Sequence, residues 1–188
     1  MLTHYIDIQL RPDPEFAASH LLAALYAKLH RALVQLGTDQ LAVGFPGYAS
    51  KPLGLGQVLR ILGSADGLAK LMALPWLSGM TDHVQVSPMA TVPAGVTHRQ
   101  LSRVQAKSSP ERLRRRQMKR HGLTQAQALD RIPDSAAQTL KLPFLPVRSA
   151  STGQVFRLFL RLGPASVPGL AGTFNAYGLS ATATIPWF

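Results

Sequence analysis

The sequence predicts a protein of mixed α+β class, on the strength of three observations. Stretches in which apolar and polar residues alternate, as in half-buried strands, are interspersed with stretches of helical period. The 188 residues are enough for one compact domain or two small ones. Apolar residues make up 46% of the chain and charged residues 15%, which excludes an extended disordered protein.

The first ninety residues predict the order strand, helix, strand, strand, helix, strand. Residues 3–10 alternate as a strand does, and a leucine stripe predicts a helix over about 15–36 that Gly37 ends. Ser64 is a suitable N-cap for a second helix, to about Leu74, before Pro75. The other predicted strands are 41–45, 58–62 and 83–87. This order is that of a ferredoxin-like βαββαβ domain, assigned here to residues 1–92, with another small α+β sandwich as the alternative.

The second half predicts another α+β domain, interpreted as a modified ferredoxin-like fold over residues 93–188. Residues 88–97 contain two prolines and a glycine and favour a linker. Ser109, Pro110 and Glu111 are start signals for an arginine-rich helix over 109–121, which Gly122 ends. Thr124 favours the start of another short helix, to about residue 131. Strands are predicted near 144–149, 155–161 and 173–177 and in the C-terminal tail.

The positive charge is concentrated in one segment. The whole chain has 20 Lys and Arg against 9 Asp and Glu, a net charge of +11. Residues 1–98 are neutral, residues 99–120 carry +8, and residues 121–188 carry +3. On a helix, Arg112, Arg115, Arg116 and Lys119 share one face. A basic face of this kind predicts a nucleic-acid partner rather than an ordinary solvated surface.

Several classes of function are disfavoured by what the sequence lacks. The absence of cysteine excludes disulfides, thiolate catalysis and cysteine-type zinc sites. The nine carboxylates are scattered, and neither a phosphate-binding glycine loop nor a histidine pair at metal-ligand spacing occurs, so we expect no metal and no cofactor. Charges interrupt every long apolar stretch, which predicts no signal peptide, no membrane association and a cytoplasmic location.

Metal-free RNA cleavage remains compatible with this composition. The 2′-hydroxyl of RNA can attack its own phosphate if a base, an acid and correct positioning are supplied. Histidine is the side chain suited to both proton transfers near neutral pH. Among the six histidines, His30 lies at the boundary of the predicted buried face of the first long helix. From composition alone, each of these histidines is more often an ordinary surface or core residue than a catalytic one.

Several motifs together resemble one family. They are HYIDIQLRPDPEF near the start, KLH at residues 28–30, RQLSRVQAKSSPERLRRRQMKRH at 99–121, RSASTGQVFRLFLR at 148–161, and the C-terminal YGLSATATIPWF. The sequence resembles the CRISPR repeat-processing endoribonucleases of subtype I-F, the Csy family (Cas six, subtype F). The likeness covers almost the full length, and only about residues 47–97 are nondescript.

The resemblance implies a specific activity and specific residues. It implies binding of a CRISPR repeat stem-loop, metal-free cleavage at the 3′ base of the stem to leave a 2′,3′-cyclic phosphate, and retention of the product hairpin. It implies that the protein acts as a monomer on RNA, within a type I-F surveillance complex. It assigns His30 to proton transfer, Ser149 to holding the 2′-hydroxyl, and Tyr177 to orienting the histidine. It assigns the RNA contacts to Arg103, Gln105, Arg112, Arg115, Arg116, Lys119, Arg120, His121 and Phe156.

The sequence departs from the family at two helix positions. Lys119 stands where arginine is usual, and Gln117 where a larger apolar residue is common; a lysine meets a phosphate as a point charge and cannot form a fork.

Two other functions remain open on the residues alone. One is a catalytically silent subunit that binds an RNA hairpin, and the other is a ribosomal-type or DNA-binding basic protein.

Overall fold

The computed structural model describes residues 1–105, 110–133, 140–148 and 153–188. Two compact units can be distinguished, one formed by Met1–Val104 with Leu142–Phe188 and the other by Gln105–Lys141. The described residues are helical or in antiparallel strands, so the predicted α+β class is confirmed. The division into domains between residues 92 and 93 stays a prediction.

The N-terminal half of the larger unit contains two α-helices and seven strands, five of which form the first sheet. In chain order these are β1 (His4–Leu10), α1 (Ala18–Leu36), β2 (Ala42–Gly44), β3 (Ala49–Ser50), β4 (Leu53–Gly54), β5 (Val58–Gly63), α2 (Ala65–Met72), β6 (Val84–Val86) and β7 (Ala90–Thr91). The antiparallel strand order is β2-β5-β1-β6, and β7 also pairs with β1. The short β3–β4 hairpin lies apart from this sheet and was not predicted. The ferredoxin-like interpretation of this order stays a prediction.

Local sequence signals account for the bounds of these elements. Ile6, Ile8 and Leu10 are the buried positions of β1, as their alternation predicts. Gly37 ends α1 in the left-handed conformation, at φ 61°. The Ser64 hydroxyl accepts a hydrogen bond from the Gly67 N–H at 3.1 Å and thereby caps α2. Helix α1 begins at Ala18 rather than near residue 15. Before it, Asp13 Oδ1 accepts hydrogen bonds from the two backbone N–H groups that follow Pro14.

The second sheet of the larger unit combines β8 with C-terminal strands. These are β8 (Thr97–Val104), β9 (Phe144–Arg148), β10 (Val155–Ser166) and β11 (Ile185–Trp187). The order is β11-β8-β10-β9, all antiparallel. Its buried side chains, among them Leu101, Leu158 and Leu160, belong to the same apolar core as Leu25 and Leu29 of α1. Helix α1 therefore packs in a core shared by both sheets, which brings the N-terminal half close to the C-terminal segment.

The smaller unit contains α3 (Pro110–His121) and α4 (Gln125–Arg131). Gly122 ends α3 with φ 62° and a hydrogen bond from its N–H to the Met118 carbonyl. Thr124 and Gln127 form a reciprocal capping box at the start of α4. The Arg114 Nε donates to the Ile132 carbonyl at 2.7 Å and so ties α3 to the end of α4. The start signals at Pro110 and Thr124 and the stop at Gly122 are thus confirmed, whereas Ser109 lies outside the described residues.

One shielded ion pair fixes the end of the chain against the first sheet. Arg60 Nε and Nη2 donate to the two carboxylate oxygens of Asp7 at 2.7 and 2.8 Å. Arg60 Nη1 donates to the Phe188 carbonyl oxygen at 2.7 Å, and the guanidinium lies 3.9 Å from the centroid of the Phe188 ring. Removing Arg60 would leave the Asp7 carboxylate, which is only 25% exposed, without this partner.

We predict that Arg60→Ala lowers the free energy of unfolding by about 3 kcal/mol, because a poorly solvated charge loses its partner. Lys70→Ala is the matched control, since Lys70 forms a solvent-exposed pair with Asp66 on α2 and should change the free energy by less than about 0.5 kcal/mol. Urea unfolding of both variants measures the difference. Equal losses in the two variants would contradict the role given to the Arg60 pair.

Candidate active site and nucleic-acid interface

His30 lies on α1, one turn after Tyr26 on the same face of the helix. The Nδ1 atom of His30 is 2.8 Å from the carbonyl oxygen of Ala176. A carbonyl oxygen can only accept, so Nδ1 carries a proton and donates it to this bond. In the neutral ring the lone pair is therefore on Nε2, which is the nitrogen able to accept a proton. This tautomer suits a general base that, once protonated, becomes a general acid.

Tyr177 covers one face of the His30 imidazole. The two ring centroids are 3.9 Å apart and the planes differ by 4°, so the rings are stacked. The hydroxyl of Tyr26 donates to the carbonyl oxygen of Tyr177 at 2.8 Å. Burial raises the pKa of Tyr26 well above its usual value, Tyr177 adds to the rise, and the positive charge of Arg103 opposes it. Tyr26 therefore remains a protonated donor and holds Tyr177 in place over a wide range of pH.

A tight turn at residues 175–178 presents both groups to His30. The N–H of Gly178 donates to the carbonyl of Asn175 at 2.8 Å, which closes a β-turn with Asn first and Gly fourth. Gly178 has φ 69°, and a Cβ atom there would collide with Val43 of β2. Its carbonyl accepts from the Val43 N–H at 2.9 Å. The predicted strand over 173–177 is therefore wrong: these residues lead into a turn whose backbone is bonded within itself and to β2.

The predicted Ser149 lies outside the described residues. Strand β9 ends directly before it at Arg148, which is exposed. The Arg148 Nε donates to the Gly153 carbonyl at 2.9 Å. The assignment of Ser149 to the 2′-hydroxyl stays a prediction.

Arg103 and Phe156 are brought together at the second sheet. Arg103 lies in β8 opposite Leu160 of β10, and its guanidinium carbon is 5.3 Å from the centroid of the Phe156 ring. Phe156 packs partly against the core while Arg103 is exposed. Arg103 is also close enough to Tyr26 for its positive charge to oppose the rise in the Tyr26 pKa. Gln105 is exposed and comes one residue after the end of β8.

Helix α3 presents the basic face that the sequence predicts. None of its twelve residues is buried. Four basic side chains line a common shallow depression: Arg112, Arg115, Arg116 and Lys119. Arg120 and His121 are exposed at the last turn, whereas Leu113, Arg114, Gln117 and Met118 are partly covered. The exposed face therefore combines a high density of cations with a single acid, Glu111, which is the arrangement that a polyanion requires.

Sequence reasoning missed three residues that shape the candidate site. Tyr26 could have been found, because it lies four residues before His30 and therefore on the same helix face. Asn175 could have been found from the Asn-x-x-Gly spacing, which is typical of a type I turn. Ala176 has no such signal, since it acts through its backbone carbonyl and 146 residues separate it from His30.

Within the described residues, no group of three or more histidine or acidic side chains is arranged to hold a metal ion. No helix in the same residues combines the length and the apolar character needed to cross a bilayer.

The chain is similar to one known protein family and to individual proteins of two bacteria. The family described as CRISPR-associated protein (Cas_Csy4) matches residues 5–188. A protein of Pseudomonas aeruginosa (strain UCBPP-PA14), named CRISPR-associated endonuclease Cas6/Csy4, is 52% identical over 187 residues, with both chains covered completely. The chain belongs to the Csy4 family. A protein of the same name from Escherichia coli (strain UTI89 / UPEC) is 46% identical over 187 residues, again with full coverage of both chains.

Membership in the Csy4 family confirms the resemblance inferred from the motifs. The match spans both halves of the chain, and it includes His30, Tyr177 and the whole of α3. The roles of the individual side chains stay predictions.

We predict that nuclear magnetic resonance of ¹⁵N-labelled histidine will find His30 in the Nδ1–H tautomer when the ring is neutral. The reason is that the Ala176 carbonyl can only accept from Nδ1. His20, exposed on the same helix, is the internal reference and should give the tautomer mixture of a solvated imidazole. A His30 spectrum that matches that of His20 would contradict the hydrogen bond.

Proposed function

We propose that this chain is a metal-independent endoribonuclease that binds the stem-loop of a CRISPR repeat and cuts at the 3′ base of the stem. The product carries a 2′,3′-cyclic phosphate and stays bound as a hairpin. The observation that carries the proposal is the pair of contacts that His30 makes: its Nδ1 lies 2.8 Å from the Ala176 carbonyl oxygen and its ring is stacked on Tyr177. The names of the two relatives as CRISPR-associated endonucleases support it.

The reaction requires two proton transfers and no other reagent. The 2′-oxygen attacks the adjacent phosphorus, the bond from phosphorus to the 5′-oxygen breaks, and the cyclic phosphate forms. One proton leaves the 2′-hydroxyl and one is added to the departing 5′-oxygen. Nε2 of His30 is suited to either transfer, since Nδ1 is already committed to a carbonyl. Ser149 is assigned to holding the 2′-hydroxyl, and Tyr177 limits the ring to one orientation.

Binding is assigned to cationic and aromatic side chains outside this centre. The exposed face of α3 supplies charge for the phosphates of the stem, from Arg112, Arg115, Arg116, Lys119, Arg120 and His121. Arg103 and Gln105 are assigned to base edges of the lowest pairs, for which arginine and glutamine have suitable donors and acceptors. Phe156 is assigned to stacking under the terminal pair, a role that its partly exposed ring permits.

The proposal includes the setting in which the protein works. A nuclease that keeps its product hairpin is expected to act once per RNA, as a monomer on that RNA, and to remain with it among the other subunits of a type I-F surveillance complex in the cytoplasm. The alternative function is a silent hairpin-binding subunit, which the basic face of α3 alone would explain. The two functions differ in whether His30 matters for turnover.

We expect the protein to cleave its repeat RNA in the presence of EDTA and to leave a 2′,3′-cyclic phosphate. His30→Ala should lower the single-turnover rate by about 10²- to 10⁴-fold, which is the usual contribution of a general acid or base. Hairpin affinity should stay unchanged, and His20→Ala should cleave normally. Full activity in His30→Ala would refute the mechanism, and absence of cleavage by the wild-type protein would favour the silent binding subunit.

We predict that Arg115→Ala and Arg116→Ala each weaken hairpin binding by about tenfold, because each removes a charged contact to phosphate. Each should also reduce the slope of log K against log salt by about 1. Arg11→Ala is the control, since Arg11 is exposed in the neutral N-terminal half. Equal affinity for duplex DNA and for the RNA hairpin at the same salt concentration would instead indicate a general nucleic-acid-binding protein.

A further inference from the structure

We infer that Asn175 is a positioning residue for the reaction and that it acts on His30 through a single peptide group. This inference rests on the proposed role of His30 in proton transfer. It assigns to the Asn175 side chain the task of aiming the Ala176 carbonyl at the imidazole and of holding Tyr177 against its face.

The side chain of Asn175 is hydrogen-bonded to two backbone N–H groups, one within the turn and one directly after it. Its Oδ1 accepts from the Tyr177 N–H at 2.8 Å and from the Leu179 N–H at 3.3 Å. The first bond closes an Asx turn, in which an asparagine side chain accepts from the backbone two residues later. One amide oxygen thus restrains the backbone both at Tyr177 and beyond Gly178.

The decisive point is that a single peptide group is hydrogen-bonded to both Asn175 and His30. The N–H of Tyr177, which donates to Asn175, and the carbonyl of Ala176, which accepts from His30 Nδ1, are the two polar ends of the same peptide group. A peptide group is planar, so its N–H and C=O cannot turn independently. Asn175 Oδ1 therefore fixes the direction of the acceptor that selects the tautomer of His30. Hydrogen bonds in such a chain also polarise one another.

The other contacts of the turn hold the neighbouring backbone groups, and they leave this peptide group to Asn175. The hydroxyl of Tyr26 bonds the Tyr177 carbonyl, and the Val43 N–H bonds the Gly178 carbonyl. Upstream, the Phe174 N–H donates to the Asp39 carbonyl at 2.9 Å. These anchors do not involve the Asn175 side chain, so its removal should leave the turn docked. The peptide group between Ala176 and Tyr177 would then be free to rotate, and His30 would lose a fixed acceptor.

The test compares Asn175→Ala and Asn175→Asp with a matched control. An aspartate keeps an oxygen that can accept both backbone bonds, whereas alanine keeps none. The control is Ser180→Ala, because the Ser180 hydroxyl oxygen likewise accepts from two backbone N–H groups, those of Thr182 and Ala183, a few residues away. The measurements are single-turnover cleavage rate, hairpin affinity, urea unfolding, and the tautomer of His30 from ¹⁵N magnetic resonance.

We expect Asn175→Ala to lower the cleavage rate by roughly three- to tenfold, which is the scale of one hydrogen bond. Hairpin affinity should be unchanged, and His30 should show a mixture of tautomers. In a His30→Ala background the same substitution should cause no further loss of rate, since the two residues act as one unit. Asn175→Asp should restore both the rate and the tautomer. Ser180→Ala should lower stability without changing either.

The outcomes separate this inference from the proposed function. A normal rate and a normal His30 tautomer in Asn175→Ala, with His30→Ala inactive, would overturn the role of Asn175 alone. An altered tautomer with an unchanged rate would overturn the proton-transfer role of His30, and with it the inference. An equal loss of rate in Asn175→Ala and Ser180→Ala would show that general destabilisation, and not positioning, is responsible.

Discussion

The candidate site depends on one hydrogen bond, from Nδ1 of His30 to the carbonyl of Ala176. It joins a helix of the N-terminal half to a turn near the C-terminus, and it selects the ring nitrogen available for chemistry. The stack of Tyr177 on the same ring needs that turn as well. Both follow from a core in which α1 packs with both sheets, so the packing of the larger unit is a precondition for the site.

The distribution of charge separates two physical tasks. The neutral first half contributes α1, with His30 at the edge of a buried face, and a core in which few charges need partners. The strongly basic α3 has no buried residue, so packing does not explain its composition. Its exposed arginines repel one another, and a bound polyanion would relieve that repulsion. Under the proposed function, chemistry and binding are provided by segments with opposite needs: one must be rigid and shielded, the other accessible to phosphate.

Much of this arrangement could be predicted from the sequence, and the part that could not has a clear cause. Alternation in β1, the Ser64 cap, and the stop at Gly122 are local signals, and each is found in the structure. The prediction of a strand over 173–177 is wrong because it relied on the apolar residues of this segment. The conformation is instead determined by the hydrogen bond of the Asn175 side chain, which forms an Asx turn. A backbone carbonyl such as that of Ala176 carries no side-chain signal at all. Its role emerges only when α1 and the turn are placed together.

The central claim is that a histidine of fixed tautomer, held by the turn, transfers protons at the scissile phosphate. It is tested most directly by a crystal structure of the protein with a repeat hairpin that has a 2′-deoxynucleotide at the cleavage position. The account predicts Nε2 of His30 within hydrogen-bond reach, about 3 Å, of the departing 5′-oxygen or of the position of the missing 2′-hydroxyl, with Nδ1 still on the Ala176 carbonyl. An Nε2 atom that points away from the phosphate, with Nδ1 turned towards it instead, would contradict the account.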